Sequence, residues 1–305
     1  MRLIQLSGAV CDLVYRVPGL PAQGAEVVAT AFAARAGGGF NALAAARRQG
    51  MAAAYGGGIG TGPFAGIVAA ALEAEGARPL IPPLPVDQGN CVVLVEPSGE
   101  RSFVSVPGAE TQLTAEALAG LPAAPWAMLS GYSLAGAGAG ALASHAAALP
   151  AGTRLFFDPA PIVATIPAPL LRAVLARADW ISANRAEAAA LVGIDDPAAA
   201  VEALRALCPR AQGAVLRDGP RGCWLATGTG ALHLPGLPVR AIDTTGAGDC
   251  HAGAFLAALD RGEDPASAAR LANAAAAIST MHEGPATAPT LAETRAFLAR
   301  GPARH

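Results

Sequence analysis

The chain of 305 residues contains no lysine; every member of its lysine-plus-arginine total of 21 is an arginine. A Walker A loop places a lysine on the β- and γ-phosphates, and protein kinases place one on their third strand. Schiff-base and pyridoxal-phosphate chemistry use one as the covalent partner. All four chemistries are excluded. Charge is sparse as well: 14% of residues are charged and the net charge is -2, which provides no basic face for nucleic acid. Although 53% of residues are hydrophobic, no uninterrupted apolar run reaches the roughly 18 residues that mark a membrane span. The first residues, Met1-Arg2-Leu3-Ile4-Gln5-Leu6, read as a strand and lack the apolar core and cleavage site of a signal peptide. Cys11, Cys91, Cys208, Cys223 and Cys250 are odd in number, scattered and without a C-x-x-C pair, the usage of reduced thiols in a cytoplasmic protein. The five histidines have no close metal spacing, so no zinc site is expected.

Against these absences, the length allows one large α/β domain with an appendage or two small domains, and the chain is read as a single α/β domain over residues 1–305. Leu3-Ile4-Gln5-Leu6-Ser7-Gly8-Ala9-Val10 reads as a central strand with Asp12 just beyond its carboxyl end, where open α/β sheets bind ligands. Short extended pieces punctuated by Pro18, Pro21 and Gly24, including residues 26–30, follow. Residues 90–96 and 101–106, joined by Pro97-Ser98-Gly99-Glu100, carry a hairpin signature. Together, the segments at about 13–35 and 89–107 are read as a small β lid. From about residue 110 the pattern alternates. Strands are expected at 126–130, 155–158, 180–184 and 214–217, with alanine-rich helices at 139–149, 169–177 and 198–207 between them. This predicts a doubly wound, mostly parallel sheet with helices on both faces.

The densest chemistry lies in Asp243-Thr244-Thr245-Gly246-Ala247-Gly248-Asp249, just before the apolar run 252–256. Small residues at 246–248 allow a tight turn whose N–H groups converge at a helix N-terminus, a nest for phosphate-like charge. Asp249 beside that nest is electrostatically unfavourable unless it accepts a proton from an attacking hydroxyl while the amides hold a phosphoryl group. A glycine turn with an aspartate cap is the plainer reading. Three other elements combine structural and chemical readings. Gly37-Gly38-Gly39-Phe40-Asn41 opens a helix, with Asn41 able either to cap it or to meet ligand hydroxyls. Asn184 and Glu187, three apart after a strand, form a capping box on the plainer view. Leu216-Arg217-Asp218-Gly219-Pro220-Arg221-Gly222 is a G-x-x-G turn in which Arg217 or Arg221 can reach phosphate. No G-x-G-x-x-G follows the first strand, which disfavours a dinucleotide oxidoreductase. A non-catalytic sugar or nucleoside sensor would leave the pairing of nest and Asp249 without a use.

These motifs, in this order, resemble the ribokinase-like (PfkB) carbohydrate kinases over nearly the whole chain. The Val95-Glu96-Pro97-Ser98-Gly99-Glu100-Arg101 hairpin and Ser130-Gly131-Tyr132 are similar to those of uncharacterised bacterial sugar kinases. The resemblance implies ATP-dependent phosphorylation of a hydroxymethyl group on a sugar, or alternatively on a nucleoside. Asp249 would be the base and Gly246, Ala247 and Gly248 the anion nest. Asp12, Gly38, Gly39 and Asn41 would hold the acceptor. Asn184, Glu187, Arg217, Gly219, Gly222 and Asn273 would serve the nucleotide, together with the 281–284 loop. Glu187 would meet Mg²⁺ through water, and Asp243 and Thr245 would hold a monovalent cation, potassium being the candidate. Exposed lid edges point to a homodimer. The chain departs from the family in two places: it has Gly62 or a neighbour where an aspartate is usual, and Cys250-His251 where a hydroxyl and an aromatic residue are usual.

Overall fold

The computed structural model describes residues 1–228 and 230–300. Its main sheet contains β1 (Leu3–Gln5) and, after excursions, β4 (Ala53–Tyr55), β7 (Trp126–Ser130), β8 (Arg154–Asp158), β9 (Trp180–Asn184), β10 (Gly213–Arg217), β11 (Gly222–Thr227) and β12 (Gly230–Pro235). The strand order is β12-β11-β10-β9-β8-β7-β1-β4; the strands from β4 to β10 are parallel, and β11 and β12 run antiparallel at one edge. A second sheet joins β2 (Ala9–Arg16), β3 (Ala31–Gly38), β5 (Asn90–Val95) and β6 (Arg101–Val106) in the order β3-β2-β5-β6. The doubly wound, mostly parallel sheet and the small lid are therefore both present.

The parallel strands are buried on both faces, as expected when helices cover both sides. Leu3, Trp126, Met128, Phe156, Trp180 and Val215 point into one core, and Ile4, Leu129, Leu155, Phe157, Ile181 and Leu216 into the other. The first core packs under α1 (Gly39–Arg48), α2 (Pro63–Ala74), α8 (Ala247–Asp260), α9 (Pro265–Ser279) and α10 (Leu291–Arg300). The second lies under α3 (Ala115–Ala119), α4 (Ala139–Ala147), α5 (Ala168–Arg177), α6 (Arg185–Val192) and α7 (Pro197–Leu207). With so few aromatics, the first core depends on small residues and close helix approach. At Gly253 of α8 an added Cβ would lie 2.4 Å from the Ala42 carbonyl oxygen and 2.8 Å from the Ala45 Cβ of α1. That close crossing sets the beginnings of α1 and α8 side by side.

Several expected boundaries move. Residues 3–10 do not form one strand: β1 ends at Gln5, and the chain crosses Leu6–Gly8 into the lid strand β2. The break is held by long-range bonds. The Tyr55 hydroxyl accepts the Ala9 N–H at 2.8 Å, and the Ser133 hydroxyl accepts that of Gly8 at 2.9 Å. Asp12 consequently sits on the lid and not beyond the end of a central strand. Residues 26–30 are not a strand; β3 begins at Ala31 and pairs with β2 throughout. The hairpin at 90–106 forms where the turn residues place it.

Candidate active site

Consecutive parallel strands end in polar residues at one edge of the sheet: Asp158 on β8, Asn184 on β9 and Arg217 on β10. Helices α1, α6 and α8 begin at the same edge, so their unpaired N–H groups and positive dipole ends converge there. At α8, Gly246 adopts φ 72°, a left-handed conformation that side chains disfavour, and turns the chain into the helix. The N–H groups of Gly248 and Asp249 lie in the first turn and have no intrahelical acceptor. That of Ala247, also assigned to the nest above, bonds instead to the Thr244 carbonyl at 3.2 Å.

Asp249 is tied directly to α1, because the Asn41 side-chain amide donates to its Oδ2 at 3.0 Å. Asn41 is buried, and its own Oδ1 has no hydrogen-bond partner among the described residues. An orphaned buried acceptor of this kind fits a hydroxyl-bearing ligand. Burial, the charge of Asp158 and that of Glu187 push the Asp249 carboxyl up to about 6, against the opposing pull of Asn41 and Arg217.

On the lid side, the Asp12 carboxylate lies over the backbone of Gly37, where a Cβ would be 2.0 Å from Oδ2. Only glycine leaves that space. Burial and the charge of Asp249 push Asp12 up to about 7. Gly38, at φ 60°, caps α1, and Gly39 packs within 2.5 Å of the Ser7 carbonyl by the same measure. Asp12 lines a cavity of about 240 Å³ between lid and body, which also meets Val14, Val93, Phe103, Asp243 and Thr245.

The raised carboxyls of Asp12 and Asp249 have a consequence for pH. The folded chain holds protons there that the unfolded chain releases near pH 4, so their contribution to stability is full below that point. It is lost as pH rises through about 6 to 7. Without ligand, Asp12→Asn should exceed the wild-type melting temperature, and by more at pH 8 than at pH 5. An equal or lower melting temperature at pH 8 would contradict the burial of that charge.

Beneath the nest, Arg217 donates to Asp158 Oδ2 at 2.6 Å, Glu187 Oε2 at 3.1 Å and the Gly248 carbonyl at 3.3 Å. Glu187 is buried; it accepts the Asn184 N–H at 2.7 Å and the Asn184 side-chain amide at 2.7 Å, and its own N–H donates to Asn184 Oδ1 at 2.9 Å. The expected capping box is thus made, and Arg217 joins it to the nest. Burial and Asp158 raise the Glu187 carboxyl, and Arg217 and the Asn184 N–H oppose them. Of the two candidate arginines, Arg217 points inward, whereas Arg221 pairs with Asp218 at 2.6 Å on the surface. Gly219 and Gly222 make the left-handed turns there, at φ 56° and φ 94°.

Not every expected residue joins the cluster. Asn273 is buried in α9, where its Oδ1 meets His251 Nε2 at 3.2 Å and its amide donates to the Leu234 and Pro235 carbonyls at 3.0 and 3.3 Å. It holds α8, α9 and β12 together. His251, the departure noted beside Asp249, is its partner, and burial pushes that imidazole down to about 3. Asp243 carries the lid residue Arg101 on its carboxylate and accepts the N–H groups of Thr245 and Gly284 at 2.8 and 2.9 Å. The volume beside Gly62 is filled by Asp87, which caps α2 through the Phe64 and Ala65 N–H groups.

Two residues to which the sequence reading gives no site role, Asp158 and Arg101, reach the site. Asp158 had a usable signal, since an aspartate followed by proline ends a strand at the ligand-binding edge. Arg101 had none beyond its hairpin.

The comparisons with known proteins bear on the family and the fold. The model of the pfkB family carbohydrate kinases matches residues 1–291. An Escherichia coli (strain K12) protein named uncharacterized sugar kinase YegV is 32% identical over 293 residues, 94% of this chain and 91% of that protein. Bacillus subtilis (strain 168) ribokinase is 28% identical over 280 residues, 90% of each chain. The crystal structure of ribokinase from Thermotoga maritima superposes with a TM-score of 0.84 at 23% identity, covering 98% of this chain and 99% of that one. The chain is a phosphotransferase and belongs to the pfkB family of carbohydrate kinases.

Proposed function

We propose that the chain transfers the γ-phosphoryl group of ATP to a hydroxymethyl group of a sugar, with Asp249 as the base. The observation that carries this reading is the Asn41–Asp249 bond at the mouth of the nest. It brings together Asp249, an Asn41 Oδ1 that has no partner among the described residues, and the first-turn N–H groups of Gly248 and Asp249, the parts this reading needs. The acceptor hydroxyl would bond to Asp249 while Asp12 and Asn41 hold neighbouring hydroxyls under the lid. Asp249 would take the hydroxyl proton as the oxygen bonds to the γ-phosphorus and the bond from that phosphorus to the β–γ bridging oxygen breaks, releasing ADP, and the amides of Gly246, Gly248 and Asp249 would offset the developing negative charge. Lid closure would exclude water as a competing acceptor.

The site also fits magnesium. Three carboxylates, Asp158, Glu187 and Asp249, surround one guanidinium, Arg217, leaving surplus negative charge. Among the described residues no group of three or more His, Cys, Asp or Glu is set to clasp a metal directly. A magnesium ion arriving with ATP would therefore be held through water by Asp158 and Glu187, and it supplies positive charge to the phosphate oxygens.

The outer face of the lid exposes Phe32, Val104 and Val106, at 57, 62 and 55% of their surface. A second copy of the chain covering this face would give a dimer, to be checked by sedimentation. No described helix is long and apolar enough to cross a membrane, and the five cysteines are free. Both facts suit a cytoplasmic enzyme using cellular ATP.

The test is ADP formation from ATP and magnesium over a panel of pentoses, hexoses and nucleosides. A sugar-dependent signal supports the reading, nucleosides alone would move the acceptor class, and no acceptor-dependent ADP would leave a sensor in its place. Asp12→Ala should raise the acceptor dissociation constant about 10- to 150-fold, the loss of a charge-assisted hydrogen bond, and leave ATP affinity unchanged. An equal loss for both ligands would place Asp12 in the wrong subsite.

A further inference from the structure

The family resemblance puts a monovalent cation at Asp243 and Thr245, and the residues present do not fit one. Oδ1 of Asp243 already accepts the Thr245 N–H at 2.8 Å and the Arg101 guanidinium, and Oδ2 accepts the Gly284 N–H at 2.9 Å. The pair is well enclosed: the Arg101 and Asp243 side chains keep 17 and 11% of their exposure. A potassium ion would need the same oxygens and would stand beside a fixed positive charge.

Arg101 does not belong to the loop it neutralises. It opens β6 of the lid, 142 residues away in sequence. Two further lid arginines reach the neighbouring segment: Arg16 pairs with Glu283 Oε2 at 3.0 Å, and Arg35 donates to the Glu283 carbonyl at 3.4 Å. The contact between the lid and the 243–284 region is therefore made by arginines, and the most buried of them is seated on Asp243.

We propose that Arg101 is the resident counter-ion of the loop carrying the anion nest, in the role of a monovalent cation, so that this kinase needs no potassium. The physical requirement is specific. Asp243 lies three residues before the nest, and an uncompensated carboxylate there opposes an incoming phosphate. Arginine stays charged at every working pH, and its planar fork suits a carboxylate. Unlike a free ion, this cation arrives with the lid, so the nest acquires its counter-charge when the acceptor site is covered. Arg101 acts through Asp243 and is a positioning residue. The inference rests on the kinase reading of the nest.

The experiment compares wild type, Arg101→Ala and Arg101→Lys in potassium and in tetramethylammonium at constant ionic strength and saturating magnesium, by turnover and by melting temperature. Wild-type turnover should agree within about twofold between the two salts, with one melting temperature. Arg101→Ala should lose about tenfold or more in tetramethylammonium, and potassium or millimolar guanidinium should restore part of both readouts. Arg101→Lys, which keeps the charge, should remain insensitive to the salt; it also supplies the comparison if the alanine variant does not fold. The proposal is overturned if wild type requires potassium, or if folded Arg101→Ala turns over normally in tetramethylammonium. Absence of ADP from wild type in every buffer would remove the kinase reading instead, and the salt response of melting temperature would still decide the cation question.

Discussion

Asp249→Asn should lose about 10²–10⁴-fold in kcat, the usual contribution of a positioned general base, with ATP affinity close to wild type and, because a buried carboxyl raised to about 6 is removed, a melting temperature at or above wild type. Asparagine keeps the size of the side chain and, with its amide turned, can keep the contact with Asn41, but it cannot take the acceptor proton. An aspartate that merely ended a turn and capped α8 would behave otherwise, since asparagine caps a helix equally well. The two accounts separate by orders of magnitude in turnover and hardly at all in stability. Turnover above about a tenth of wild type, well outside the range for a base, would remove Asp249 from that role.

The second large effect belongs to Arg217. Its guanidinium is the shared partner of Asp158 and Glu187 and also touches the Gly248 carbonyl. Arg217→Met keeps much of the volume and removes the charge, leaving buried carboxylates uncompensated. Breaking a buried pair in this way destabilises by about 3–5 kcal/mol. The pH dependence fixes the cause. Without Arg217 the Glu187 carboxyl, already raised by burial and the charge of Asp158, rises further, so the folded variant gains stability as it protonates and loses it as pH rises through its new value. Denaturant unfolding should therefore show a larger deficit at pH 8 than at pH 5.5. A deficit independent of pH would mean lost packing and not lost charge.

What could be read in the sequence, and what could not, follows the range of the interactions. The strands at 126–130 and 180–184 form over those residues, and the hairpin forms on its Gly99 turn, because local pattern decides such elements. The capping box of Asn184 and Glu187 is likewise local. The nest was legible because Gly246 must take a conformation that its type alone announces. Asp12 was placed on the wrong element because the break after Gln5 is made by Tyr55 and Ser133, 46 and 125 residues from their partners. Strand β4, Ala-Ala-Tyr, is too short to show alternation, and β12 is mostly exposed along an edge. Asp158, although its place at a strand end before a proline marks it, and Arg101, which carries no such mark, matter through their partners Arg217 and Asp243, pairings that no local pattern announces.

The account turns most directly on where the phosphate goes. After incubation of the wild-type protein with ATP, magnesium and its best acceptor, phosphorus NMR of the product should show one ester on a primary hydroxymethyl oxygen, formed in equal amount with ADP. Phosphate on another hydroxyl, or ADP accumulating with no phosphorylated acceptor, would contradict it.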